Sequence, residues 1–245
     1  MKSLTACLLL LFAFPVHSQE PPIVKLQTNF GLIVIKLNPE KAPKTVNNFI
    51  RYAQDGFYEG TLFHRVIKNF IIQGGGYTQD YQKKEPTYDP IPNESDNGLK
   101  NKPGTIAMAR NIFEPNSATS QFFFNIEDNA SLNYQQEEWG YTVFGRVIKG
   151  MNVINKMKNV KTGAKAHLKK QVPEHPIIIE KVIVENAPVR QTVEFVEAKA
   201  IESETQEEVS LPKMEKITSQ TTNSTSEKLP PDPPSEPDKR EPLPE

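Results

Sequence analysis

Cysteine is almost missing from this chain. The 245 residues include one, Cys7, and it sits inside the apolar run at the beginning. A mature chain cut after Ser18 has none, which excludes disulfides, thiolate catalysis and cysteine-ligated zinc. Histidine is scarce too, at four residues. His17 belongs to the initial segment. His167 and His175 fall in a polar, Lys- and Pro-bearing connection and read as surface residues. His64, between Phe63 and Arg65, reads as a hydrogen-bonded structural group. No His-Glu-x-x-His, paired-histidine or Asp-rich loop pattern occurs, so no metal and no cofactor are expected. No serine sits in a nucleophile elbow. Gly74-Gly75-Gly76 lacks the Lys-Ser/Thr of a phosphate loop and ends a strand, so it reads as a tight turn. A hydrolase or a kinase would lack its parts.

What is present divides the chain in three. Met1 and Lys2 precede an apolar run from Leu4 to Phe14, broken only by Thr5, and Val16 and Ser18 fit the −3 and −1 positions of a cleavage site. Residues 1–18 are therefore expected to be a signal peptide. The run is well short of the ~20 residues a spanning helix needs. The mature protein is expected to be periplasmic or secreted, with no stable membrane insertion. Residues 19–188 form the expected folded domain. Residues 189–245 read as a disordered, acidic, Pro-rich tail, with seven prolines between Pro230 and Pro244. The net charge of −1 averages unlike regions: Gln191–Glu245 holds 13 acidic and 6 basic residues, leaving +6 for the rest. The basic stretch Lys156–Lys170 has no interleaved aromatics. It reads as a solvated loop and helix face, with no nucleic-acid partner.

Hydrophobic spacing gives the elements. Ile23–Thr28 and Leu32–Leu37 alternate around Asn29-Phe30-Gly31, a hairpin pattern. Val46, Phe49, Ile50 and Ala53 fall on one face of a helix over Ala42–Gln54. Thr61–Val66, Phe70–Gln73, Gly104–Ala109, Gln121–Ile126, Thr142–Val147 and Ile177–Glu185 read as further strands, and Met151–Met157 as a second helix. The fold class is mainly β, an antiparallel barrel or sandwich with helices closing its ends. Polar groups stand among core-like residues: Arg65 and Gln73 in the first pair of strands, Arg110 after Met108-Ala109, and Gln121 before Phe122-Phe123. On residue type alone Phe70, Met108, Phe123 and Leu132 are core, and Arg65 is as readily a buried ion-pair partner as a catalytic group.

Taken in order, Phe-His-Arg-Val-Ile, Gln-Gly-Gly, Gly-Thr-Ile-Ala-Met-Ala-Arg, Ser-Gln-Phe-Phe and Val-Phe-Gly-Arg-Val resemble the cyclophilins from about Ile23 to Glu185. Thr-Ser-Gln-Phe-Phe, Glu-Ser-Asp-Asn-Gly-Leu and Gly-Tyr before the Val-Phe-Gly strand resemble the periplasmic bacterial branch. The resemblance implies a closed eight-stranded antiparallel barrel capped by two helices, a peptide groove on its outside, and peptidyl-prolyl cis/trans isomerase activity on proline-containing polypeptides. It makes Arg65 the catalytic arginine and Phe70, Met108, Phe123 and Leu132 the proline pocket. Gln73 would contact substrate backbone. Ala109, Arg110 and Gln121 would line the neighbouring groove, with Arg110 where many relatives carry Asn, and Tyr141 would join the substrate-binding set where many carry His. Ser131 stands where cyclosporin-sensitive members usually have Trp, so weak cyclosporin binding is expected. A monomer is expected, and a proline-peptide-binding chaperone module is the alternative function.

Overall fold

Burial alternates along Ile23–Thr28 (β1), while Gly31–Leu37 (β2) buries Ile33, Val34, Ile35 and Leu37. They form a hairpin in which Thr28 pairs with Gly31. The Thr28 hydroxyl accepts from Phe30 N–H at 3.1 Å and donates to the Gly31 carbonyl at 2.7 Å. Gly31 has φ +128°, a region that L side chains rarely adopt. Helix α1, Pro43–Gln54, starts on a proline that needs no hydrogen-bond acceptor and buries Val46, Phe49, Ile50 and Ala53. Its first free N–H groups, on Lys44 and Thr45, donate to the Glu94 carboxylate at 3.0 and 2.9 Å. A distant acid thus satisfies the helix start and opposes its positive end.

The computed structural model describes residues 20–187 apart from Glu137. The signal-peptide and tail assignments lie outside the described residues. The remaining elements are β3 (Arg65–Val66), β4 (Ile71–Gly74), β5 (Thr105–Met108), β6 (Phe122–Asn125), β7 (Val143–Lys149), α2 (Met151–Met157), β8 (Thr162–Lys165), β9 (Leu168–Pro173) and β10 (Ile179–Glu185). A 3₁₀ turn spans Ala130–Leu132.

Eight strands form one antiparallel sheet in the order β10-β1-β2-β7-β5-β6-β4-β3. The fold is mainly β with two helices, as expected. Closure of the barrel by a strand ladder is not observed, because β10 and β3 end the order without pairing to each other. The expected strand Thr61–Val66 is a ladder only at 65–66. Residues 60–63 instead make single backbone bonds with 177–179: Gly60 N–H to Ile179 O at 2.8 Å, Ile179 N–H to Thr61 O at 2.9 Å and Phe63 N–H to Ile177 O at 2.9 Å.

The basic connection expected to be loop and helix face is instead mainly a second sheet, the β8–β9 hairpin. Its strands carry little alternation in burial to betray them; β8 is exposed apart from half-buried Gly163. The main core lies on the inner face of the large sheet. Phe122 meets Phe49 edge-on at 5.3 Å and Tyr58 at 5.4 Å, and Phe124, Phe144, Ile33 and Ile35 are fully buried.

Candidate active site

Antiparallel partners point to the same side of a sheet. Arg65 pairs with Gln73, Gln73 with Phe123, Phe123 with Ala107, and Ala107 with Val143. These five side chains form one row across five strands, on the face opposite Phe122 and Phe124. There Phe70, Ile71, Ala107, Phe123 and Val143 make a second apolar cluster, with Ala109, Leu132, Leu99 and Tyr141 half-buried against it. The expected residues Arg65, Phe70, Gln73, Ala109, Phe123, Leu132 and Tyr141 therefore come together.

Met108 does not join them. It pairs with Phe122, is 2% exposed, and packs in the main core. One residue along β5 from Ala107, it has the opposite parity. The wall position it was expected to fill is taken by Ile71, two residues from Gln73 and on the same face.

Arg65 is buried, at 9% exposure. Its Nε donates to Gln171 Oε1 at 3.0 Å, and Nη1 donates to Gln73 Oε1 at 3.3 Å. Gln73 Nε2 donates in turn to Gln121 Oε1 at 3.0 Å. A chain of amides thus fixes the guanidinium plane at the edge of the apolar cluster. Gln121 fits because residue 76 is glycine: a Cβ there would lie 2.5 Å from the Gln121 side chain. Gln171, on β9 with φ 64°, was invisible to sequence reasoning because it lies 106 positions from its partner.

Three buried asparagines hold the apolar walls by their backbones. Asn129 Nδ2 donates to Phe70 O at 3.0 Å and to Asn125 Oδ1 at 2.7 Å. Asn125 Nδ2 donates to Asn101 Oδ1 at 3.0 Å, and Asn101 Nδ2 to Leu132 O at 3.0 Å. Such groups are tolerated in a core only when paired. Their burial amid an apolar pattern was the available signal in the case of Asn125, within Phe-Phe-Phe-Asn-Ile.

The Arg110 guanidinium is held by backbone carbonyls. Its Nε donates to Gly140 O at 3.0 Å, Nη1 to Asn111 O at 2.8 Å and Ile112 O at 3.0 Å, and Nη2 to Trp139 O. Its guanidinium carbon lies 4.7 Å from the centre of the Tyr141 ring, and that ring meets Phe123 edge-on at 5.6 Å. Arg110 thus ties the loop after β5 to the loop before β7 and backs Tyr141 against the cluster. Burial pushes the Tyr141 hydroxyl above its ordinary pKa, outweighing the attraction of Arg110 and Arg65, so it stays neutral. Ser131 is exposed in the 3₁₀ turn, and Trp139 packs on Tyr134 at 5.5 Å.

His64 lies on the other parity from Arg65, over the Tyr77 ring at 4.4 Å. Burial first, and the neighbouring Arg65 charge second, hold its pKa down to about 3, although a backbone hydrogen bond with Leu62 opposes them. It is a neutral imidazole at neutral pH. No group of three or more His, Cys, Asp or Glu side chains among the described residues lies together to hold a metal ion.

Comparison with known proteins identifies the family. Residues 23–184 match the family described as cyclophilin type peptidyl-prolyl cis-trans isomerase/CLD. The chain is 52% identical over 161 residues to peptidyl-prolyl cis-trans isomerase cyp18 of Streptomyces antibioticus, covering 64% of this chain and 95% of that protein. It is 50% identical over 165 residues to peptidyl-prolyl cis-trans isomerase B of Escherichia coli (strain K12), covering 66% and 99%. A crystal structure of a Cryptosporidium parvum cyclophilin-type isomerase, determined in the presence of the dipeptide Ala-Pro, superposes with a TM-score of 0.54 at 28% identity. That match covers 66% of this chain and 98% of the other. The chain belongs to the cyclophilin-type peptidyl-prolyl cis-trans isomerase family and is an enzyme of that class.

Proposed function

We propose that Arg65 drives isomerisation without any covalent step, on X-Pro bonds of proteins exported with this one. The observation that carries the reading is a fixed guanidinium on the same sheet face as an apolar cluster. An X-Pro bond turns over a barrier of roughly 18–20 kcal/mol set by amide resonance. At the twisted transition state the proline nitrogen regains its lone pair and accepts a hydrogen bond. A donor aimed there stabilises the transition state more than the planar ground state, which is what catalysis requires. Gln73 and Gln171 hold the Arg65 plane, so little reorganisation is left for that moment.

Phe70, Ile71, Phe123 and Leu132 hold the proline ring, with Tyr141 beside them. Gln73 and Gln121 hold the peptide backbone. Arg110 is a positioning residue that fixes the groove's rims. A 10⁵-fold acceleration needs about 7 kcal/mol, at ~1.36 kcal/mol per decade. One hydrogen bond to a charged group nets roughly 1.5–3 kcal/mol. The dry pocket supplies more, since the twisted amide is less dipolar than the planar one and is favoured by desolvation.

The same reading takes the sheet as a functionally closed barrel, supported by the backbone bonds between 60–63 and 177–179. It takes the protein as a monomer, exported to the periplasm or secreted on the strength of the leader-like residues 1–18. Substrates are proline-containing polypeptides, and nucleic acid is not among them. A chaperone role alongside turnover is favoured by exposed Phe113 and Trp139, at 78% and 43% exposure; Phe113 follows the Ile112 carbonyl that Arg110 holds, and Trp139 is held through its own carbonyl.

The test is protease-coupled isomerisation of an Ala-Pro peptide by the full chain beside its Arg65→Ala variant. We expect kcat/KM to fall by roughly 10- to 100-fold, the worth of one charge-assisted bond, with the fold intact by circular dichroism. Undiminished turnover in the variant would remove Arg65 from the mechanism.

A further inference from the structure

A second row of residues on the outer face leads away from the apolar cluster. Ile71 pairs with Asn125, and Asn125 Nδ2 donates to Thr105 Oγ1 at 2.9 Å. Thr105 pairs with Arg146, and Arg146 with Lys36. The row thus starts at the wall of the proline site and ends on two exposed cations. An open cavity of about 660 Å³ lies at that end, lined in part by Leu99 and Val143, which also belong to the apolar cluster. Lys36, Lys100, Lys102 and Arg146 line it, against one acidic side chain, Glu40. Lys102 is paired with Asp128. Lys36, Lys100 and Arg146 have no acidic partner within salt-bridge distance among the described residues.

We infer that this groove binds an acidic segment of the same polypeptide whose X-Pro bond is turned over, four to six residues from the proline. The inference rests on the isomerase site above and adds a substrate preference to it. Adjacent strands lie roughly 4.8 Å apart. From Ile71 to Arg146 is three strand steps, about 14 Å, and to Lys36 four, about 19 Å. An extended peptide covers about 3.3 Å per residue, which gives the spacing. Leu99 and Val143 belong to both linings, so the two sites adjoin. Three cations lacking acidic partners attract carboxylates, and rim charges of this kind select partners and speed their encounter more than they tighten binding.

The experiment uses the full chain and peptides with a single Ala-Pro bond. Each carries a block of three Glu, Gln or Lys four to six positions from the proline, on its N- or its C-terminal side, and a short Ala-Pro peptide serves as reference. On one of the two sides, kcat/KM should be about fivefold higher for the Glu than for the Gln peptide at low salt, the worth of a few exposed ion pairs. That advantage should fade toward 1 M salt. The Lys36→Glu/Arg146→Glu double variant should turn over the short peptide at the ordinary rate and prefer the Lys peptide to the Glu peptide.

Equal rates for Glu, Gln and Lys peptides on both sides overturn the inference, as does a preference that the double variant keeps. Tight binding of a proline-free acidic peptide without any charge preference in turnover also overturns it, because the groove is then a separate site. Failure of the short peptide to turn over at all counts against the isomerase reading instead.

Discussion

The two faces of the large sheet use the same strands and the same residue types for different ends. Phe122, Phe123 and Phe124 are consecutive and all within 2% of fully buried. Phe122 and Phe124 enter the main core, where Phe122 touches Phe49, Tyr58 and Phe63 edge-on. Phe123 faces the other way, into a cluster bordered by Arg65, Gln73 and Tyr141. Burial alone therefore does not separate stability from function. Strand parity does, because neighbouring side chains point to opposite faces.

The comparison is broken most severely at Met108 and Ile71. Met108→Ala should cost about 2–5 kcal/mol of stability in urea unfolding, as a core truncation does, while the folded fraction keeps its kcat/KM. Ile71→Ala should unfold less easily than Met108→Ala yet lose roughly ten- to sixtyfold in kcat/KM for an Ala-Pro peptide, since it removes three carbons from the pocket wall, each worth up to about 0.8 kcal/mol. If Met108→Ala cut turnover and Ile71→Ala did not, the assignment of the faces would be reversed.

His64 sharpens the same contrast through pH. Its folded pKa is about 3, against an ordinary value of about 6.5 when unfolded. Above pH 6.5 it is neutral in both states and folding is unaffected. As pH falls from 6.5 toward 3 only the unfolded chain takes the proton, so stability is lost by up to about 1.4 kcal/mol per pH unit. His64→Phe should flatten that part of a urea-unfolding profile against pH. A profile identical to wild type would show that the imidazole is not held neutral.

Arg110 sits at the rim of the outer face, and its effect should be smaller. Arg110→Met keeps apolar contact with Tyr141 and loses the four carbonyl bonds. We expect KM to rise about three- to tenfold with kcat nearly unchanged, because the rims loosen while Arg65 stays put. A loss confined to kcat would instead place Arg110 on the reacting peptide. Smallest of all in catalytic terms is the Ser131 position. Cyclosporin should bind weakly, Ser131→Trp should strengthen it, and Ala-Pro turnover should hardly move. A tight titration of the wild-type chain by the drug would contradict this.

Much of this was legible beforehand, for reasons that are local. The β1–β2 hairpin, α1 and α2 follow from spacing that repeats within a dozen residues, and the ordered motifs pointed to Arg65, Gln73 and Phe123. Phe70–Gln73 and Gly104–Ala109, however, are nearly continuous apolar runs, buried on both faces. Such runs fix a strand without fixing its phase, so the pattern alone offers no check on the placing of Met108, rather than Ile71, in the pocket that the resemblance implies. The β8–β9 hairpin lacked a buried face to announce it.

By itself, then, the sequence determined which segments become strands and helices and which residue types the site contains, because periodicity and turn chemistry act over short distances. Only the tertiary structure decided which parity of each strand faces outward, and that Gln171 reaches Arg65. It also decided that Arg110 binds four carbonyls and that Lys36 and Arg146 stand side by side. Those relations depend on the register between strands far apart in the chain, and register is set by the packing of the whole sheet against α1 and the core.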